Sequence, residues 1–137
     1  MKKIINEPGK IVEEMLQGIV KSYGNLVHQV EDSRVIARND SNKQVGLVSG
    51  GGSGHEPAHA GFVGDGMLNA AVLGDVFTSP TPDQILTGIQ EADQGAGVLL
   101  IVKNYTGDIL NFEMAKDMAD MEDIHVEMVV VDDDIAV

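Results

Sequence analysis

The fold is decided by the stretch Val48-Ser49-Gly50-Gly51-Gly52-Ser53-Gly54-His55-Glu56-Pro57. Four glycines in five residues directly follow the apolar run at 45–48. Because glycine accepts positive φ and lets a backbone approach a ligand closely, a strand that enters such a loop can aim several peptide N–H groups at one point. His55 lies at the end of the loop, and an imidazole can exchange protons near pH 7. The stretch predicts a strand followed by a binding loop for a small polar ligand.

Composition favours one globular domain with an aliphatic core. The chain has 137 residues, of which 43% are apolar and only 4% are aromatic. It has no cysteine, which excludes disulfides, thiolate metal sites and cysteine nucleophiles. The net charge of −13 disfavours nucleic acid and anionic membranes as partners. No apolar run is long enough to span a membrane and no signal peptide is evident, so we expect a cytoplasmic protein.

Hydrophobic periodicity predicts strands that alternate with helices. One amphipathic helix is predicted at 8–23, and short extended pieces follow at 26–30 and 35–38. The later predicted elements are strands at 44–49, 69–73, 97–103 and 125–131, a short helix at 56–62, and longer helices at 81–94 and 108–121. This order is typical of an α/β fold, in which helices cover both faces of a mostly parallel sheet.

Helix starts are indicated by capping residues at two places. Thr81 precedes Pro82 and is followed by Gln84, which is the pattern of a capping box. Asp108 stands where the helix at 108–121 should begin, and aspartate is a favoured N-cap. A carboxylate there can equally accept a proton from a ligand, so the sequence leaves both interpretations of Asp108 open.

Polar residues follow each predicted strand of the sheet. In such sheets ligands bind outside the carboxyl ends of the strands. We therefore expect one shared pocket at the loops that follow the strands, which span 50–55, 74–80, 104–108 and 132–134. Lys103 ends a strongly apolar strand, where a charge needs a partner, and Thr78 and Ser79 are further candidates to line the pocket.

The glycine loop and its histidines also allow other interpretations. A glycine-rich turn after a strand often binds phosphate, but no Lys-Ser/Thr pair follows Gly54, and Pro57 interrupts the helix that a dinucleotide fingerprint requires. His55 and His59 are spaced like the ligands of a helical zinc site, yet Pro57 lies between them, so no metal site is predicted. His28 and His125 lie in unrelated segments and are interpreted as structural or exposed.

Three motifs together resemble the dihydroxyacetone kinase family. They are Gly-Gly-Gly-Ser-Gly-His-Glu-Pro at 50–57, Phe-Thr-Ser-Pro-Thr-Pro-Asp at 77–83, and Val-Lys-Asn-Tyr-Thr-Gly-Asp-Ile-Leu-Asn-Phe at 102–112. The resemblance spans nearly the whole chain and is nearest to the substrate-binding K subunit of the phosphotransferase-system-dependent type. It implies that residues 1–137 are an N-terminal K-type domain truncated from a longer two-part chain.

The resemblance also implies roles for individual residues. By motif, the substrate-binding residues are Gly52, Ser53, Gly54, His55, Lys103 and Asp108. His55 corresponds to the acid–base histidine of the family, and Asp108 corresponds to the carboxylate that helps deprotonate the accepting hydroxyl. Family members also hold the ketone covalently on a histidine of their second half, and none of the four histidines here lies in a matching context.

The function implied by the resemblance is phosphoryl transfer to a hydroxyl of dihydroxyacetone (glycerone), within glycerol metabolism, by a kinase that acts as a homodimer with other subunits. No cofactor is expected on this chain. Mg-ADP or Mg-ATP is expected on a partner, namely a nucleotide-binding L subunit recharged by a phosphoryl-donor M subunit, or a fused domain. The fragment alone is expected to be inactive. The alternative is a non-catalytic dihydroxyacetone-sensing relative that partners a transcriptional activator.

Overall fold

The computed structural model describes residues 3–40 and 43–132, and a six-stranded sheet forms the centre of this part of the chain. Its elements, in chain order, are α1 (Ile11–Tyr23), β1 (Val27–Gln29), β2 (Val35–Arg38), β3 (Gly46–Ser53), β4 (Ala70–Val76), α2 (Pro82–Ala92), β5 (Val98–Lys103), α3 (Thr106–Asp120) and β6 (Val126–Val131). Single 3-10 turns lie at Pro8–Lys10, just before α1, and at Ala60–Phe62.

The sheet is mixed but mostly parallel, as predicted. Its strand order is β1-β2-β4-β3-β5-β6. The pairings of β3 with β4, of β3 with β5 and of β5 with β6 are parallel, whereas β1 with β2 and β2 with β4 are antiparallel. Parallel neighbours need a crossover of a dozen residues or more, and the connection at 30–34 is too short to supply one. The first two strands therefore form an antiparallel extension of the parallel sheet.

Helices cover both faces of the sheet, which confirms the predicted fold class. Successive residues of a strand point to opposite faces, so Val35 and Ala37 pack on one side while Ile36 packs on the other. Helices α2 and α3 cover the first side through Ile85, Ile89 and Phe112, and α1 covers the second through Val12 and Leu16. Both cores are aliphatic except for Phe112, which is fully buried.

The prediction that residues 50–54 form a loop is wrong for most of that segment. Strand β3 continues to Ser53, because β4 runs beside it in register from Val48–Ala70 to Gly51–Leu73. A Cβ on Gly52 would lie 2.6 Å from the backbone nitrogen of Thr78, so the glycine allows the strand to touch the turn after β4. The predicted helix at 56–62 is likewise only the 3-10 turn at Ala60–Phe62.

Thr81 is the N-cap residue of α2 as predicted, but neither the capping box at Thr81 nor a cap by Asp108 is formed. Thr81 occupies the N-cap position of α2 with Pro82 in the first turn, but no side-chain hydrogen bond caps this helix. Gln84 instead accepts a hydrogen bond from the backbone N–H of Arg34 at 2.9 Å. Its side chain is therefore engaged by a residue distant in sequence and is not available for a capping box. Helix α3 begins at Thr106, two residues earlier than predicted, with Tyr105 as its N-cap, and Asp108 lies inside the first turn.

Two glycines in helices should respond oppositely to the same substitution. A Cβ on Gly88 of α2 would lie 2.5 Å from the Cγ2 of the fully buried Val72, whereas a Cβ on Gly18 of α1 would have no atom within 4 Å. Gly88→Ala should lower the free energy of unfolding by about 1–2 kcal/mol, because overpacking outweighs the gain in helix propensity. Gly18→Ala should raise it by up to about 1 kcal/mol. Urea unfolding of both variants tests this, and equal signs would contradict it.

Candidate functional site

The carboxyl ends of β3, β4 and β5 meet at one cavity of about 280 Å³. Its walls are formed by Gly52, His55, Phe77, Ser79, Lys103, Tyr105 and Asp108. Strand β3 lies between β4 and β5 and pairs with both in parallel, so the carboxyl ends of the three strands share one edge. The prediction that the segments at 50–55 and 103–108 meet in a shared pocket is confirmed.

Lys103 and Asp108 form the buried floor of this cavity. Lys103 is the last residue of β5, and its Nζ lies 4.0 Å from Oδ2 of Asp108 and 5.0 Å from the ring centroid of Tyr105. The Asp108 side chain is only 2% exposed. Burial lowers the pKa of Lys103, and the charge of Asp108 opposes that shift. A separation of 4.0 Å is an ion pair but too long for a hydrogen bond.

Several buried polar atoms at this end of the sheet have no hydrogen-bond partner within residues 3–40 and 43–132. They are Nζ of Lys103, Oδ1 of Asp108 and Nε2 of His59. Each unpaired buried polar group costs about 1–3 kcal/mol. A ligand in the cavity that offers both hydrogen-bond donors and acceptors would remove this cost at Lys103 and Asp108, so the arrangement suits a small hydroxylated or carbonyl compound.

Gly51 allows Lys103 and His59 to approach each other. A Cβ at this position would lie 2.8 Å from Cε of Lys103 and 2.9 Å from Nε2 of His59. Any other residue at 51 would therefore displace one of the two side chains. The absence of a side chain at Gly51 thus leaves the space that the ends of the Lys103 and His59 side chains occupy.

His55 lies at the exposed rim of the cavity between two aromatic rings. Its ring meets Phe77 edge-on, with centroids 5.3 Å apart, and stacks on Tyr105 at 6.2 Å. Phe77 is 71% exposed and has a φ of 52°, an uncommon conformation for a bulky residue. Phe77 and Tyr105 were not among the residues predicted for the site. A usable signal existed, since Phe77 and Tyr105 lie within two residues of a strand end in a chain with few aromatic residues.

Two of the predicted binding residues do not border the cavity. The hydroxyl of Ser53 is buried and donates to the backbone oxygen of Gly74 at 2.8 Å, which ties β3 to β4. The backbone N–H of Gly54 donates to the carboxylate of Glu56, at 3.0 and 3.2 Å. Direct contact of Ser53 or Gly54 with a ligand stays a prediction. Ser79 lines the cavity, whereas its candidate neighbour Thr78 is absent from the lining.

His59 is buried behind the glycines, in a place that sequence analysis did not foresee. Residues 56–59 form a turn rather than the helix that a His-x-x-x-His zinc site requires. The Nδ1 of His59 lies 3.2 Å from the hydroxyl of Ser49. Burial is the main cause that lowers the pKa of His59 to about 4, and positive charge on Lys103 and His55 adds to it. The imidazole is therefore neutral at pH 7.

The other polar candidates lie away from the cavity. His28 contacts Asn39 and Glu91, at 2.9 and 3.1 Å, and the His125 side chain is 78% exposed, which confirms their structural and exposed interpretations. Of the acidic run at 132–134, only Asp132 falls within the described residues. In that described part no cluster of three or more His, Asp or Glu side chains could hold a metal ion. None of its helices is both long and apolar enough to cross a membrane.

A larger cleft of about 610 Å³ lies between α1 and the β1–β2 connection. Arg34 lines this cleft, and its guanidinium donates hydrogen bonds of 2.5 Å to the carboxylates of both Glu13 and Asp75. The guanidinium charge of this cleft is thus already paired by protein carboxylates. The smaller cavity, whose ammonium and carboxylate lack hydrogen-bond partners among the described residues, is the better candidate site.

Known proteins are similar to this chain in both sequence and fold. A family described as the Dak1 domain matches residues 17–137. The chain is 72% identical over its whole length to the dihydroxyacetone-binding subunit of PTS-dependent dihydroxyacetone kinase 1 from Listeria innocua, and it spans 42% of that protein's length. The native crystal structure of the C. freundii dihydroxyacetone kinase matches 99% of this chain with 26% of its own, at a TM-score of 0.93 and 48% identity.

A regulatory protein is similar as well. The dihydroxyacetone kinase operon co-activator Dha-DhaQ matches 90% of this chain with 38% of its own, at a TM-score of 0.83 and 44% identity. The chain thus spans less than half of each of these three proteins.

The neutral, buried His59 should make stability depend on pH. Its pKa is about 4 in the fold and 6.5 when unperturbed, so unfolding takes up a proton between these values. The stabilisation is complete above pH 6.5 and is lost as the pH falls towards 4. His59→Gln should therefore cost most above pH 6.5 and progressively less towards pH 4, in urea unfolding across this range. The exposed His125→Gln is the control, and a pH-independent cost of His59→Gln would contradict the prediction.

Proposed function

This chain belongs to the Dak1 domain family, and on that premise we propose that it binds dihydroxyacetone and takes part in phosphoryl transfer to one of its hydroxyls. One observation carries the proposal. The unpaired ammonium of Lys103 and the unpaired carboxylate oxygen of Asp108 meet at a cavity of about 280 Å³, with His55 at its rim. This volume is at the small end for ligand sites, which suits a short polyhydroxyl ketone. Residues 1–137 would form the N-terminal K-type part of the whole protein.

Substrate binding would use the opposite hydrogen-bonding characters of the cavity floor. The ammonium of Lys103 only donates, and the carboxylate of Asp108 only accepts, so a carbonyl oxygen would face the lysine and a hydroxyl would face the aspartate. The backbone of Gly52 borders the same space without a side chain. Burial strengthens these contacts, because the local dielectric is lower than that of water.

Catalysis would require a base close to the accepting hydroxyl. A hydroxyl is a poor nucleophile until its proton leaves during attack on phosphorus. Asp108 is buried beside the cavity, and His55 reaches it from the exposed rim. In the proposed step one of them takes the proton as the new O–P bond forms and the bond from phosphorus to the donor breaks. Lys103 would hold the substrate oxygens in position for this attack.

The phosphoryl donor would come from a partner. The surface charge of −13 disfavours an autonomous nucleotide site on this chain. Similarity to a PTS-dependent subunit supports Mg-ADP on an L subunit recharged by an M subunit, rather than Mg-ATP on a fused domain. We place the covalent ketone-binding histidine outside these 137 residues, since none of the four histidines here has the matching context. We also propose that the protein is a homodimer located in the cytoplasm.

A sensing role is the second candidate, because the operon co-activator shares 44% of its residues with this chain over the matched part. A sensor needs the binding contacts but no base. Asp108 and His55 both lie at the cavity, which favours the kinase. The two candidates differ in turnover, since a sensor binds dihydroxyacetone without phosphorylating it.

Removing either base should sharply lower turnover without unfolding the protein. In the full-length protein with its partner subunits, Asp108→Asn and His55→Asn should each lower turnover at least about a hundredfold. Asp108 does not cap α3, so Asn removes no capping bond. A coupled phosphorylation assay measures turnover, calorimetric titration measures dihydroxyacetone binding, and His125→Asn is the control. Normal turnover in both variants would refute the mechanism, and a wild-type protein that binds without turnover would be the sensor.

The 137-residue chain assayed alone should show no phosphorylation of dihydroxyacetone with Mg-ATP. It would lack both the covalent histidine and the donor site. Adding the full-length protein and its partner subunits to the same coupled assay is the positive control. Turnover by the isolated chain would place a complete active site within these residues and overturn the proposal.

A further inference from the structure

The hydroxyl of Ser49 determines which nitrogen of His59 carries hydrogen. A serine hydroxyl has one hydrogen, and Ser49 donates it to the backbone oxygen of Ile101 at 2.7 Å. Its oxygen can then only accept from the Nδ1 of His59, 3.2 Å away. Ser49 and Ile101 are register partners in the parallel pairing of β3 with β5, so the sheet itself holds the serine in place. The imidazole is locked with hydrogen on Nδ1 and a free lone pair on Nε2.

The lone pair on Nε2 faces the same space as the ammonium of Lys103. Both atoms lie 2.9 Å from the point where a Cβ of Gly51 would be, so they are neighbours across this glycine. Both are buried, and neither has a hydrogen-bond partner in the described part of the chain. A lysine end is flexible and carries three donors, which lets it reach an acceptor that the rigid turn holds in place.

The charge state of His59 suits an acceptor role. Burial lowers the pKa of His59, the charges of Lys103 and His55 lower it further, and Glu56 alone opposes them. A protonated imidazole would repel the ammonium, whereas a neutral one accepts from it. Hydrogen bonds that run from Lys103 through His59 and Ser49 to Ile101 would polarise one another in one direction.

We infer that His59 is a positioning residue: its Nε2, held by Ser49, accepts a hydrogen bond from the Lys103 ammonium on the side away from the cavity. The Asp108 carboxylate attracts the ammonium from an ion-pair distance of 4.0 Å without a hydrogen bond, so a hydrogen bond to Nε2 would leave two N–H groups for the ligand. The inference rests on the proposed function for its consequence, which is tighter ligand binding. The tautomer of His59 and its contact with Lys103 do not depend on that function.

The first test reads the tautomer and the lysine directly, by nuclear magnetic resonance of the full-length protein. Imidazole nitrogen shifts should show His59 with a protonated Nδ1 and a bare Nε2 from pH 6 to 8, and Ser49→Ala should give a mixture of tautomers. The ammonium of Lys103 should titrate at lower pH in His59→Leu, because the charged form loses an acceptor, and at the wild-type pH in His59→Gln. A protonated Nε2 in the wild type, or an unchanged lysine titration in His59→Leu, would overturn the inference.

The second test reads binding of dihydroxyacetone by calorimetric titration. His59→Leu should weaken it about tenfold, His59→Gln should restore most of the loss, and the exposed His125→Gln should have no effect. Equal losses in Leu and Gln variants would mean that His59 acts by packing alone, which overturns the inference. If His59→Leu fails to fold, the inference is still tested by the tautomers of His59 in Ser49→Ala and by dihydroxyacetone binding to His59→Gln. If the wild type does not bind dihydroxyacetone, the proposed function fails while the resonance test remains decisive.

Discussion

The carboxyl half of β3 has no side chain at three consecutive positions, and the rest of the site depends on that absence. At Gly52 the missing Cβ admits the backbone of the turn after β4, and at Gly51 it admits Lys103 and His59. The strand keeps its pairing with β4 through Gly51, so the glycines do not end the strand. The consequence is a strand end against which four different segments can pack.

That packing buries polar groups, and the buried groups give the site its chemistry. Lys103 and Asp108 lie at an ion-pair distance too long for a hydrogen bond, and the ammonium nitrogen and one carboxylate oxygen are buried. Such an arrangement costs free energy in the unliganded protein and returns it when a ligand with matching donors and acceptors binds. Marginal local stability at this edge is therefore expected of a binding site, while the two aliphatic cores on either side of the sheet hold the fold.

Sheet topology explains why the chemistry collects at one edge and the larger cleft does not take part. Strands β3, β4 and β5 are parallel, so three loops converge, whereas the antiparallel β1 and β2 extend the sheet on the far side of β4. The cleft next to that extension is occupied by the ion pairs of Arg34 with Glu13 and Asp75. Within the described residues, only the smaller cavity lies where the three loops meet and also has an ammonium and a carboxylate oxygen without hydrogen-bond partners.

The sequence by itself determined the α/β class, nearly every helix and strand, and the edge of the sheet where ligands should bind. It did so because periodicity and glycine clusters are local properties, and because parallel strands always share a carboxyl edge. Gly52, His55, Lys103 and Asp108 were placed at the cavity on that ground. Only the tertiary structure decided that β3 runs on to Ser53, that Gln84 serves Arg34 instead of a cap, and that Asp108 lies inside α3. It alone placed His59 behind Lys103, because the direction of a side chain and its partners across strands arise from packing between segments distant in sequence.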